Sequence, residues 1–138
     1  MAANAKTVLV VDDEEALRTL AAKLIATRGY KVLTAASGSE ALAIVAGRTR
    51  VDLLVLDVVM PGLSGLQTLE EVRKRGYTDL QVVLLTAQST DDDVIGGYKR
   101  GADCYITKPL QPSMLLNIVD YLIGDLSPEE RAKLEPFL

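Results

Sequence analysis

With 138 residues, 49% of them apolar and 25% charged, the chain suits one folded domain with a single core and is too short for two. Acidic side chains outnumber basic ones 19 to 15, and the resulting charge of −4 disfavours electrostatic, non-specific nucleic-acid binding. The absence of histidine removes histidine bases, Ser-His-Asp triads and histidine metal ligands, while the lone Cys104 excludes an intrachain disulfide or multi-cysteine zinc site and fits a reducing compartment.

In chain order, Thr7 to Val11 (TVLVV) predicts a first strand, followed by Asp12, Asp13, Glu14 and Glu15. Leu17, Leu20, Ala21 and Leu24 then recur at helical spacing and predict one buried helix face, closed by Arg28-Gly29. Lys31 to Ala35 (KVLTA) reads as the second strand, and Ser37 with Glu40 has the capping-box spacing that opens a helix. Leu53 to Leu56 (LLVL) reads as the third strand, ending at Asp57, and Arg75-Gly76 closes the amphipathic stretch after it. Val82 to Leu85 (VVLL) is followed by Thr86, Ala87 and Gln88. Thr90 and Asp93 give a looser cap to the segment Asp91 to Arg100, which ends at Gly101. Cys104 to Thr107 (CYIT) forms the fifth strand, with Lys108 and Pro109 directly behind it. Leu115, Ile118, Val119 and Leu122 lie on one face of the last long helix. Ser127-Pro128-Glu129-Glu130 opens a short helix from about Pro128 to Leu134. Residues 1–124 thus carry the main pattern, and 125–138 form an extension that reads equally as a linker stub or a terminal cap.

A strand and a helix therefore alternate five times. Such alternation forces right-handed crossovers and a mainly parallel sheet with helices on both faces, an α/β doubly wound three-layer sandwich. The units share no repeat signature, and no low-complexity linker divides them. No run approaches the roughly 18–20 apolar residues of a membrane span, and Met1 to Lys6 lacks a secretory layout. Together these features place the protein in the cytoplasm.

Ligands of open parallel sheets bind outside the carboxyl ends of the strands. Those positions hold Asp12 and Asp13, Asp57, Thr86 and Lys108. Taken singly, Asp13 reads as a helix N-cap and Asp12 as a solvated loop residue. Asp57 is harder to dismiss, since aspartate has poor strand propensity and here ends an apolar run. Three such carboxylates at one edge repel, by about 4 kcal/mol for a pair about 4 Å apart at an effective dielectric near 20. A cation must relieve that repulsion, and an all-oxygen donor set suits Mg²⁺. Lys108 adds a fixed positive charge, so the edge is balanced for an incoming phosphoryl group. A carboxylate can itself be the nucleophile in phosphoryl transfer, and Thr86 stands where a hydroxyl can sense a phosphoryl oxygen.

Val8 to Asp13 (VLVVDD), Leu54 to Gly62 (LVLDVVMPG), Val83 to Ala87 (VLLTA) and Gly101 to Pro109 (GADCYITKP) together resemble the receiver domain of bacterial two-component response regulators. The resemblance covers about residues 6–123 in order and spacing. It implies a flavodoxin-like fold with strand order 2-1-3-4-5, an order for which a receiver is itself a standard example. It implies that Asp57 is the phosphoacceptor, charged by a phosphohistidine of a histidine kinase or histidine phosphotransfer protein. By the same resemblance Asp12, Asp13, Asp57 and the backbone carbonyl of Val59 hold Mg²⁺, while Thr86 and Lys108 contact the phosphoryl oxygens. Tyr105 becomes the switch residue that turns inward as Thr86 moves, and the Lys108–Pro109 bond is expected to be cis. The output is a change in binding to a downstream protein or to an output domain outside this chain, in a phosphorelay. Homodimerisation through the 91–100 segment, the fifth strand and the following helix is open, without a charge pattern that commits to it. Val59 and Gln88 occupy positions that receivers use to tune loss of the phosphoryl group.

Gly96-Gly97 inside the 91–100 segment costs about 0.8–1 kcal/mol per glycine in a helix, which reads either as close packing or as a deliberately labile element. Cys104 reads as an inert core thiol and Met114 as core filling. Three competing functions fit less well. An aspartate-nucleophile, Mg²⁺-dependent phosphatase-like enzyme needs a second aspartate where Val59 stands, and a cap domain. A flavin or nucleotide binder needs a glycine- or hydroxyl-rich phosphate loop where Asp12 to Glu15 stand. A non-phosphorylated receiver-like interaction module would not need Asp12, Asp13, Asp57, Thr86 and Lys108 all present. On this reading the chain is not an enzyme in the ordinary sense, since it promotes only its own phosphorylation and dephosphorylation.

Overall fold

Burial along the strands sets the order of the sheet. In a computed structural model that describes residues 5–86 and 101–137, strands β1 (Thr7–Val11) and β3 (Leu53–Asp57) are buried at every position, and β4 (Gln81–Thr86) at all but its first. β2 (Lys31–Ala35) is buried only at Ala35, and β5 (Cys104–Thr107) alternates between buried and open positions, as befits the two edge strands. All pairings are parallel and the order is β2-β1-β3-β4-β5.

Helices α1 (Glu15–Ala26), α2 (Gly38–Val45), α3 (Gly65–Lys74) and α4 (Pro112–Ile123) cover the two faces. Alternate residues feed opposite cores, as the two-residue strand period requires. Leu9, Val11, Leu54 and Leu56 pack with Ala41 and Leu42 of α2 and Leu69 and Val72 of α3. Val8, Val10, Val55 and Val83 pack with Ala21 and Ile25 of α1 and Leu115, Ile118 and Val119 of α4. Leu20, expected on the buried face of α1, is instead 45% exposed. The stripe that meets the sheet is Ala21, Leu24 and Ile25, and Leu20 lies about 100° around the helix from Ala21. Gly29, Gly76 and Gly101 all have positive φ (88°, 93° and 100°), so the glycine after each arginine turns the chain toward its next strand.

At the lower edge of the sheet Arg73 of α3 uses all five guanidinium donors. Nη1 donates to the carbonyls of Tyr77 and Leu80, both at 2.6 Å. Nε and Nη2 donate to the Gly101 carbonyl at 3.1 and 2.7 Å, and Nη2 also reaches the Asp103 carboxylate at 3.3 Å. Asp103 in turn accepts the Val82 N–H at 2.7 Å. One side chain thereby fixes the entries to β4 and β5.

The extension forms α5 (Pro128–Leu134) and a 3₁₀ turn, Glu135–Phe137. Ser127 and Glu130 make a reciprocal capping box. α5 leans on α4 rather than on the sheet: the Arg131 guanidinium lies 4.3 Å from the Tyr121 ring centroid and donates to the Tyr121 carbonyl. No residue of α5 is buried. No helix among the described residues is long and apolar enough to cross a membrane. Ala87, Gln88, the Thr90/Asp93 cap and the 91–100 segment with Gly96-Gly97 lie outside the described residues.

Because its donors are spread over four acceptor groups, Arg73→Ala is expected to lower unfolding free energy by about 3 kcal/mol in denaturant titration. Arg73→Lys recovers less than half of that, since an ammonium cannot span the same acceptors. A loss under about 1 kcal/mol for Arg73→Ala would contradict this account.

Candidate functional site

The parallel register carries the carboxyl ends of the strands to one rim. Val11 is level with Leu56, Asp57 with Leu85, and Thr86 with Thr107. Asp12, Asp57 and Lys108 therefore meet although they lie far apart in sequence. Asp12 and Asp57 are 1% and 4% exposed, and Asp13 is exposed. One carboxylate oxygen from each of the three lies within 4.8 Å of the others. Lys108 Nζ is 3.3 Å from Asp57 Oδ1 and 3.7 Å from Asp12 Oδ2.

Asp57 is the last residue of β3, and its neighbour Val58 continues the ladder by donating to the Leu85 carbonyl at 2.9 Å. Burial, reinforced by the Asp12 charge, pushes the Asp57 carboxyl from 3.8 up to about 6, against the pull of Lys108 and the Val59 N–H. Asp12 is pinned by its N–H to the Ala35 carbonyl at 3.2 Å, and its Oδ1 accepts the Glu14 N–H at 2.9 Å. The N-cap of α1 is Glu14, with no side-chain capping bond, so Asp13 does not cap the helix, and the buried Asp12 is not a solvated loop residue. Its second oxygen, Oδ2, is buried with no hydrogen-bond partner among the described residues. A buried carboxylate oxygen without a donor is costly unless a cation meets it. The all-oxygen donor set fits a hard divalent ion.

Thr86, 5% exposed, closes β4, and its carbonyl accepts the Lys108 N–H at 2.7 Å. The Lys108–Pro109 peptide bond is cis. Tyr105 is half-buried, level with Leu84 and packed at the margin of the α2/α3 core. The Val59 side chain is 66% exposed beside Asp57.

Two positioning features escaped the sequence reading. A Cβ on Gly65 would stand 2.2 Å from the Asp57 carbonyl oxygen, so only glycine lets α3 start directly behind that residue. Ser64 and Gln67 complete a capping box there, and the Gly65 N–H donates to the Val58 carbonyl at 2.8 Å. The spacing of Ser64 and Gln67 is visible in sequence, but the contact of Gly65 with Asp57 is tertiary and leaves no local signal.

The sequence model of one family, described as the response regulator receiver domain, matches residues 8–120. The chain belongs to that family. It is 42% identical over 107 residues to the transcriptional regulatory protein YvrH of Bacillus subtilis, covering 77% of this chain and 44% of that one. It is 38% identical over 112 residues to the phosphate regulon transcriptional regulatory protein PhoB of Pseudomonas aeruginosa, covering 80% and 48%. The chain thus spans about half the length of the curated relatives it matches. Among solved structures, Vibrio cholerae chemotaxis protein CheY4 superposes with a TM-score of 0.81 at 31% identity, covering 86% of this chain and 99% of that one. Thermotoga maritima TrrA, crystallised with Mg²⁺-BeF, gives 0.75 at 36% identity, covering 86% and 99%. Receivers accept a phosphoryl group, bind Mg²⁺ at an acidic pocket and interact with histidine kinases. The doubly wound sheet with order 2-1-3-4-5 is the receiver fold.

The raised Asp57 value gives the receiver a signed pH dependence in chelator. The folded state holds a proton that the unfolded chain has released, so stability falls as pH rises from about 4 through 6. Asp57→Asn removes that loss and should be more stable than the parent by up to about 3 kcal/mol at pH 7.5. The difference should shrink toward pH 4 in denaturant titrations, and a variant less stable at pH 7.5 would contradict the assigned strain.

Proposed function

We propose that Asp57 is the phosphoacceptor of this receiver and that Asp12, Asp13, Asp57 and the backbone carbonyl of Val59 hold Mg²⁺. The observation that carries this reading is the Oδ2 of Asp12, which is buried beside a second buried carboxylate and, among the described residues, has no hydrogen-bond partner, with Lys108 Nζ 3.7 Å away. Bound there, the ion neutralises phosphoryl oxygens and lets an anionic donor approach three carboxylates. An Asp57 oxygen attacks phosphorus as the bond from phosphorus to the donor imidazole nitrogen breaks, leaving an acyl phosphate. Lys108 then exchanges its contact with Asp57 for a phosphoryl oxygen. The Thr86 hydroxyl donates to another, and the space it vacates admits Tyr105. Little beyond positioning is required, because the reaction needs no general base.

Residues 1–124 are the receiver on this reading, and 125–138 an extension leaning on α4. The phosphoryl donor is a phosphohistidine of a histidine kinase or histidine phosphotransfer protein. The recipient of the signal is a downstream protein, an output domain or a second copy of the chain, and the chain itself touches neither nucleic acid nor membrane. It turns over no other substrate. The free, buried Cys104 thiol fits a reducing cytoplasm.

Incubation with acetyl phosphate and Mg²⁺ should add one phosphoryl mass to the intact protein. Chelator or Asp57→Asn should abolish the gain. A label that survives in Asp57→Asn would overturn the acceptor assignment.

A further inference from the structure

Arg18 lies one turn inside α1, near the end where the helix dipole disfavours a cation. Its guanidinium reaches back over that end, and Nη1 donates to the Asp12 carbonyl at 2.8 Å. With its N–H on Ala35 and its Oδ1 on Glu14, Asp12 is then held at three points. The Asp12 carbonyl and the Asp13 N–H belong to one planar peptide unit. Fixing the direction of the carbonyl therefore fixes the direction in which the Asp13 Cα departs. Asp13 is the exposed member of the carboxylate cluster and gains most from such an anchor.

We infer that Arg18 is a positioning residue for the cation site, clamping the Asp12–Asp13 peptide so that both carboxylates keep the spacing a divalent ion requires. This rests on the proposed Mg²⁺ site. Arg18 touches neither the ion nor the phosphoryl group; it acts through the backbone. Its charge alone would have the opposite effect, because a nearby guanidinium repels Mg²⁺ and its removal would tighten binding. The sign of the change in affinity thus separates a clamp from a bystander charge.

The test is a Mg²⁺ titration of the full chain, followed by amide NMR shifts, with melting in chelator to establish that each variant is folded. Arg18→Met should weaken Mg²⁺ affinity about tenfold, the lower end for groups that orient metal ligands. Arg18→Lys keeps one donor on a long stem and should stay within about threefold of the parent, since only one hydrogen bond must be replaced. Arg18→Gln, too short to reach the carbonyl, repeats the loss if the Met variant folds poorly. Unchanged or tighter binding by folded Arg18→Met overturns the clamp, including the case in which its melting temperature alone falls. A parent that fails to saturate with Mg²⁺, or an Asp13→Asn variant that binds like the parent, instead overturns the ion site itself.

Discussion

Asp12 and Asp57 are buried side by side, each nearly closed to water, and their mutual repulsion is the constraint from which the rest of the rim follows. Two carboxylates in that position are tolerated only with positive charge beside them. Lys108 supplies part of it, at 3.3 and 3.7 Å, but a single ammonium cannot saturate both groups, and among the described residues Asp12 Oδ2 is left without a hydrogen-bond donor. The charges at this rim are thus left unbalanced, short of the positive charge that two buried carboxylates call for.

The fold holds these groups together against their repulsion by building each on a rigid support. Asp57 terminates a strand with no exposed position, and its backbone is sandwiched between β4 and the start of α3. Lys108 follows an edge strand, but its N–H is bonded to Thr86, so β4 and β5 move as one at this rim. At the opposite edge Arg73 ties the entries of the same two strands to α3. The β4–β5 pair, which carries Thr86, Tyr105 and Lys108, is therefore fastened at both ends while the residues that face the site stay at strand termini.

Much of this was legible in sequence for identifiable reasons. β1, β3 and β4 announced themselves because strands buried on both faces must be apolar throughout, and the rim residues because a polar side chain directly after such a run has few structural excuses. Ser127 and Glu130 formed the capping box that their spacing suggested. The reading failed where helical periodicity is degenerate. Leu17, Leu20, Ala21 and Leu24 make one plausible stripe and Ala21, Leu24 and Ile25 another, and only the sheet beneath decides. It also offered Asp13, taken singly, as the N-cap of α1, whereas that helix opens at Glu14 without a side-chain cap and Asp12 accepts the Glu14 N–H. The contacts of Gly65 and Arg73 depend on chain segments brought together by folding, so no local pattern could reveal them.

On this account, carboxylate repulsion at one rim is a standing destabilisation which a divalent cation relieves. Its most direct measurement is the unfolding free energy at pH 7.5 of the parent and of Asp12→Asn, each with chelator and with millimolar Mg²⁺. The account predicts that Mg²⁺ stabilises the parent, by about 1–3 kcal/mol for an ion held ten- to a hundredfold above its dissociation constant. It predicts that Asp12→Asn is the more stable of the two in chelator and gains almost nothing from Mg²⁺. A parent indifferent to Mg²⁺, or an Asp12→Asn variant that is less stable in chelator yet still responds to the ion, would contradict it.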